Sequence, residues 1–208
     1  VAAEPDAVIP SDPEATSAQS HGASAISAAE EVDLDATLQR IAESHGYVSN
    51  LMQTLALAPG GLAAFAALDA YTHRDSKLSN LQRGLACIIA VKDVHYGWAH
   101  YAPLAISAGM TQAQLVLLSQ GRVPKDLEPA ERAVCDYAFE VAAGRRIPPR
   151  VADQMHEHFA PRQIVDVALQ TVHAMSVAAL AIALQVQTEP PETLEFEREW
   201  RLKDPPTT

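Results

Sequence analysis

Two copies of one short pattern dictate what the middle of this chain becomes. Ser79 is followed three residues later by Gln82, and Thr111 three residues later by Gln114. In each pair the hydroxyl and the amide side chain satisfy first-turn amides that would otherwise lack a partner, so each pair marks a helix start. Between them Leu81, Leu85, Ile88, Ile89 and Val91 recur three to four residues apart, the buried stripe of a helix ending near Lys92 and Asp93. A second helix then runs to Gly109, whose missing Cβ suits the left-handed turn after a helix C-terminus. The stretch from Leu78 to Thr111 therefore reads as a helical hairpin with a sharp corner into a third helix.

The second helix of that hairpin carries the densest chemistry in the chain. Asp93, His95, Tyr96, Trp98, His100 and Tyr101 fall within nine positions. Tyr96 and His100 are four apart and share a helix face, as do Gly97 and Tyr101. A neutral imidazole near its working pKa serves as a general base, and a tyrosine hydroxyl as a proton donor. Filling and hydrogen-bonding a semi-polar helix interface is the plainer use of the same residues, and both readings stay open here.

The pattern resembles the carboxymuconolactone decarboxylase family, whose all-helical fold is shared with alkyl hydroperoxide reductase D-like peroxidases. The family has Arg-Glu early on the first helix. Its second helix has Cys-x-x-Cys-x-x-x-His or the cysteine-free Glu-Tyr-Glu-Trp-x-x-His, then Leu-Ala and a Gly corner. Arg83, Tyr96, Trp98, Leu104, Ala105 and Gly109 match, and the likeness extends loosely from about Asn50 to Gln185. The resemblance implies a single all-α helical domain of this type. Several polar positions depart from it: Gly84 and Gly97 stand where the family has Glu, Tyr101 where it has His, and Val94 and Gly97 where it has the redox cysteines. Two sulfurs in bonding range are needed for dithiol chemistry, and Cys87 and Cys135 lie in different helices without a motif, so thiol peroxidase activity is not expected.

What the resemblance implies for function is a non-thiol pocket acting on a small organic acid or lactone. Decarboxylation of such a substrate needs a carboxylate anchor, a donor to the developing enolate and a proton delivered to carbon. Arg83 or Arg74 would anchor, Tyr96 or Tyr101 would donate to the oxyanion, and His100 or His95 would move the proton. Trp98 and His173 complete the candidate substrate-binding set. His173 also has a plain reading, a core histidine bonded to an oxygen. The rival function is a catalytically degenerate binding or assembly protein, in which Gly84 and Gly97 open room once filled by the Glu side chains. The family also implies self-association as a trimer or hexamer.

The rest of the chain is consistent with one helical core. With 208 residues and 48% hydrophobic content there is material for one substantial core with terminal arms, and the scarcity of aromatic residues favours helices over strands. A formal charge of -11 repels nucleic-acid backbones and anionic membranes, so neither is an expected partner. Residues 1–31, rich in Ala, Ser, Glu, Asp and Pro, form an acidic arm expected to be held by the body or a neighbouring subunit. Residues 32–187 form the helical domain, with helices expected at Asp33–Ser44, Ser49–Ala58, Gly61–Tyr71, Thr111–Ser119, Pro129–Ala143, Val151–Phe159 and Pro161–Gln187. The Pro59-Gly60-Gly61 run reads as a break, and His73-Arg74-Asp75 as a solvated connection. Residues 188–208 read as a docking tail whose apolar stripe, Phe196 and Trp200, is expected to pack on the body or on a neighbouring protomer. His156 and His158 are two apart and on different helix faces, which suits the surface rather than zinc. No metal or cofactor is expected. No run approaches the roughly 20 apolar residues of a bilayer span, two cysteines without spacing suit a reducing compartment, and a cytoplasmic location is the default. The start at Val1 leaves room for a removed leader.

Overall fold

The computed structural model describes residues 33–203, with side chains through residue 199; the expectations for the N-terminal arm and the Trp200 side chain lie outside the described residues. Among the described residues there are ten α-helices and no strand: α1 Leu34–His45, α2 Asn50–Leu55, α3 Pro59–Ala70, α4 Asn80–Val91, α5 His95–Ser107, α6 Gln112–Ser119, α7 Pro129–Ala142, α8 Pro149–His158, α9 Pro161–Ala183 and α10 Pro191–Lys203. The chain is all-α, as expected.

Both expected capping boxes form. Ser79 Oγ accepts from the Gln82 amide at 3.2 Å while Gln82 Oε1 accepts from the Ser79 amide at 3.0 Å, and Thr111 and Gln114 repeat the arrangement. Gly109 takes φ +103° and the Met110 amide bonds back to the Ala105 carbonyl at 3.0 Å, the predicted corner.

Helix α4 is the central rod, packed on α5, α7 and α9. Its stripe is buried as expected: Leu85, Ile88 and Val91 have no exposed surface and Ile89 has 1%. Each such side chain removed from water contributes roughly 1.5–3 kcal/mol. A second, smaller cluster of Ile41, Met52 and Leu62, with Leu34 and Leu38 packed on it, ties α1 to α2 and α3. This cluster sets the position of the ends of α1 and α3, which matters below.

Glycines 84 and 97 do not open space. A Cβ on Gly97 would lie 2.7 Å from Val91 Cβ, and one on Gly84 would lie 3.4 Å from the Ala105 backbone. Helices α4 and α5 have closed over the positions where the family carries acids, so the expectation of vacated room is corrected.

Two further readings change. Pro59 occupies the first position of α3, where its missing amide is no loss, so Pro59-Gly60-Gly61 starts a helix rather than separating two. Tyr71–Asp75 is a π-helical turn continuing α3, not a solvated loop, with His73 Nδ1 2.9 Å from the Asp69 carbonyl. Phe196 keeps 44% of its surface exposed, while Glu189 and Glu197 are buried at 5% each, so the tail presents acids to the body.

Helix α9 is long and apolar enough, at 23 residues, to cross a membrane by length and composition alone, against the expectation from the short uninterrupted apolar runs. Its packed face carries Asp166, Gln170 and His173, all buried, among Val167, Ala174 and Val177. Asp166 accepts from the Tyr71 hydroxyl at 2.6 Å and the Lys77 amide at 2.8 Å, tying the π-helical turn and the entry to α4 onto α9. These polar bonds to neighbouring elements mark a core helix of the bundle.

Candidate functional site

Tyr96 and His100 project from one face of α5, as their spacing predicts, and their rings stack at 4.7 Å between centroids. What they meet comes from the other end of the chain. His100 Nε2 lies 2.7 Å from Glu189 Oε2, and His100 Nδ1 lies 2.7 Å from Glu197 Oε2. Tyrosines complete both carboxylates: Tyr96 donates to Glu189 Oε1 at 3.1 Å and Tyr47 donates to Glu197 Oε2 at 3.0 Å. Glu189 Oε1 also accepts from the Asn50 amide at 2.7 Å, at the first turn of α2.

The electrostatics follow from that geometry. Carboxylates can only accept from the ring, so both ring nitrogens of His100 carry hydrogen and the ring is a cation. Burial opposes the charge, but the hydrogen bonds to Glu189 and Glu197 outweigh it and raise the pKa to about 9. Glu189 moves the other way: burial pushes its pKa up, yet the bond and charge of His100 with the Asn50 amide bring it below its ordinary value. Burial, then the neighbouring carboxylates, raise both tyrosine hydroxyls, so Tyr47 and Tyr96 remain protonated donors. The expected neutral imidazole base is thus replaced by an imidazolium between two carboxylates.

Tyr47, Tyr96, His100 and Glu197 of this network line a cavity of about 50 Å³, while Glu189 lies outside the lining. His45 and Asp69, from the ends of α1 and α3, line it as well, and Leu51, Phe65 and Val177 supply apolar surface. Around Asp69 a second polar group gathers. His45 Nε2 is 2.7 Å from Asp69 Oδ2, His73 Nδ1 is 3.4 Å from Oδ1, and His173 Nε2 is 3.5 Å from Oδ1. Burial favours protonation of Asp69, but His73 and then His45 override it and hold the carboxylate well below the usual range.

The candidate residues separate cleanly. Tyr96, His100 and Tyr101 line the cavity together. His173, fully buried, sits against Phe65 and Asp69 behind that lining. His95 is exposed at the start of α5, one position off the cavity face. Arg74 is exposed, and Arg83 bonds the His73 carbonyl at 3.1 Å and the Asn80 side chain, so neither reaches the cavity to anchor a carboxylate. Trp98 packs on the hydrophobic core. Cys87 and Cys135 are buried outside the lining, with the Cys135 thiol pushed up to about 12, by burial first. His156 and His158 are exposed, as expected.

Sequence reasoning missed Tyr47, Glu189, Glu197, His45, Asp69 and the inward turn of His73. No local signal marks the two glutamates, which reach His100 across 89 and 97 residues. His45 and His73 carried a fainter one: two histidines in the polar last turns of apolar helices.

No protein-family model matches the chain, and no curated protein matches it. Solved structures do. An alkylhydroperoxidase AhpD core, an uncharacterised peroxidase-related protein from Ralstonia eutropha JMP134, superposes with a TM-score of 0.65 at 19% identity, covering 80% of this chain and 90% of that one. A second peroxidase-related protein, from Silicibacter sp. TM1040, gives 0.63 at 19% identity over 76% of this chain and 84% of that one. The apo debrominase Bmp8 gives 0.60 at 16% identity over 80% and 90%. The helical hairpin that resembles the carboxymuconolactone decarboxylase pattern therefore sits in the expected scaffold, and the chain has the all-α AhpD-like fold.

Proposed function

We propose that this protein is a non-thiol acid–base enzyme acting on a small, uncharged carbonyl compound such as a lactone. The observation that carries this reading is the pair of buried carboxylates, Glu189 and Glu197, held on either side of the His100 cation, with Glu197 and His100 in the lining of a cavity. A carboxylate with a fixed partner and little solvent is a competent base toward an acidic C–H, and a tyrosine that stays protonated donates to the enolate oxygen that forms. In this reading Glu197 takes the proton from carbon and returns it, while Tyr96, or Tyr101 on the same lining, stabilises the oxyanion. His100 touches neither; it holds the carboxylates and balances their charge.

The cavity lining includes no arginine or lysine, which favours a neutral substrate over the carboxylated one that the family decarboxylation requires. A volume of about 50 Å³ holds one or two waters, each occupying about 30 Å³. Admission of a lactone therefore requires the Glu189–Glu197 segment to swing outward. The AhpD-like fold accommodates varied chemistry, since a cysteine-to-alanine variant of the Bmp8 debrominase has been solved with 2,3,4-tribromopyrrole.

Deuterium incorporation from heavy water into a panel of lactones and small ketones, followed by NMR, tests the reading. Exchange at the carbon beside the carbonyl is expected, falling at least 100-fold in Glu197→Gln; no exchange above background with any compound overturns it. A second reading, a non-catalytic binder, is favoured by the full pairing of His100, and in it Glu197→Gln weakens ligand affinity with no turnover to lose.

Self-association is proposed on the outer face of α9, where Val165 and Val172, seven apart, remain 55% and 49% exposed. A second copy of this chain is the proposed occupant, giving the trimer or hexamer that the resemblance implies. Val172→Glu is expected to shift sedimentation to the monomer; a wild-type profile contradicts that placement.

A further inference from the structure

The network around His100 leaves unused the group gathered at the other end of the cavity. His45 ends α1, Asp69 lies in the last turn of α3 and His73 in the π-helical turn that follows. Each offers one ligand atom, and the three atoms lie within 4.8 Å of one another. We propose that His45, Asp69 and His73 form a binding site for a first-row divalent transition metal, with His173 as the residue that positions the Asp69 carboxylate.

Donor type selects the class of metal. Two imidazoles and one carboxylate suit zinc, iron(II), cobalt(II) or manganese(II), whereas calcium and magnesium prefer all-oxygen shells. Metal–ligand bonds of about 2.1 Å place neighbouring ligand atoms about 3.0 Å apart in an octahedral arrangement and about 3.4 Å apart in a tetrahedral one. His45 Nε2 lies 2.7 Å from Asp69 Oδ2 and His73 Nδ1 lies 3.4 Å from Asp69 Oδ1, so each imidazole is at about ligand–ligand spacing from one of the two carboxylate oxygens.

Placement supports the same reading. The three ligands come from two helices and a π-helical turn; such turns re-aim side chains out of α-helical register and recur at functional sites. Asp69 is 5% exposed, so its charge is costly without a cation beside it. His45 and Asp69 also line the cavity, so a bound ion would keep its remaining positions facing that space. His173 Nε2, 3.5 Å from Asp69 Oδ1, supplies the outer contact that orients a ligating carboxylate. Binding would displace protons: His73 Nδ1 now sits 2.9 Å from the Asp69 carbonyl and must give up that bond to ligate. The site is independent of the chemistry proposed at Glu197, and either stands without the other.

The test is a cobalt(II) titration of the full-length protein after chelator treatment, read by visible d–d absorption, with zinc(II) competition and metal content by mass spectrometry. One equivalent bound, displaced stoichiometrically by zinc, is expected. His45→Ala and His73→Gln should each weaken binding at least 100-fold, and His173→Gln about 10-fold to 100-fold. His73 is the safest of these for folding, its side chain being 25% exposed, and circular dichroism of His73→Gln secures that arm. His100→Ala should leave the titration unchanged while removing any deuterium exchange, which separates this site from the proposed reaction. No stoichiometric cobalt binding, or binding undiminished in the His45→Ala/His73→Gln double variant, as surface histidines 156 and 158 would give, overturns the proposal.

Discussion

His100 and Glu189 are 89 residues apart in the chain, and their side chains meet at 2.7 Å beside the cavity that His100 lines. Glu197 closes on the other ring nitrogen at the same distance, so one imidazolium joins α5 to the C-terminal segment. The acids that the family pattern carries on α5 are absent from this helix, and acids from the tail occupy the neighbourhood instead.

Removing His100 should therefore cost more than an ordinary polar truncation. His100→Ala leaves two buried carboxylates facing each other, and breaking a buried ion pair from one side costs about 3–5 kcal/mol. Urea unfolding should show a loss of that size, with Glu189→Gln/His100→Gln recovering part of it; a loss below about 1 kcal/mol would place the pair effectively in solvent.

The pH dependence of stability has a defined sign. The folded pKa of His100, about 9, lies above its ordinary 6.5, so its contribution is full below about 6.5 and lost as pH rises through 9. Glu189 has a lowered pKa, so its contribution is present above 4.5 and lost as pH falls through its folded value. The unfolding free energy should plateau between about pH 5 and 6.5 and decline toward pH 9, by an amount on the order of 3 kcal/mol for the His100 part. His100→Gln should flatten the alkaline decline; an unchanged decline would assign it to other groups.

Helix α5 approaches α4 closely enough that Gly97 cannot be enlarged cheaply. Gly97→Ala drives a Cβ to 2.7 Å from Val91 Cβ, and overpacking of this kind costs about 1–3 kcal/mol. Val91→Ala in the same chain removes the Cγ1 clash but not the Cβ contact, so partial rescue is expected in thermal unfolding. An unaffected Gly97→Ala variant would mean that the two helices lie farther apart.

Thiol chemistry has no place in this account. Cys87 accepts from Gln170 Nε2 at 3.2 Å inside the core, and Cys135 is fully buried on α7. Deuterium exchange should persist within twofold in Cys87→Ala/Cys135→Ala, whereas peroxide turnover abolished by Cys87→Ser would revive a peroxidase reading.

The fold was legible because its signals are local. Two hydroxyl–glutamine pairs, a glycine corner and a 3.6-residue apolar stripe each span one or two helical turns, and each formed where read. The α5 half of the site was legible for the same reason, Tyr96 and His100 being four apart. The other half was not, because Glu189, Glu197, Asp69 and His45 gain meaning only from helices meeting in space. The apolar spacing of Phe196 and Trp200 gives no hint that Glu189 and Glu197 are the tail residues buried against His100 on α5. A π-helical turn has no sequence signature, so His73 reads there as part of a polar connection.

The most direct test is the protonation state of His100, followed by long-range proton–nitrogen correlation NMR on uniformly labelled protein, with assignment by His100→Gln. Two protonated ring nitrogens at pH 7.5 and a midpoint near 9 are what the paired glutamates demand. One protonated nitrogen at that pH, with a midpoint at 6.5 or below, would show a neutral ring free of both carboxylates and contradict the account.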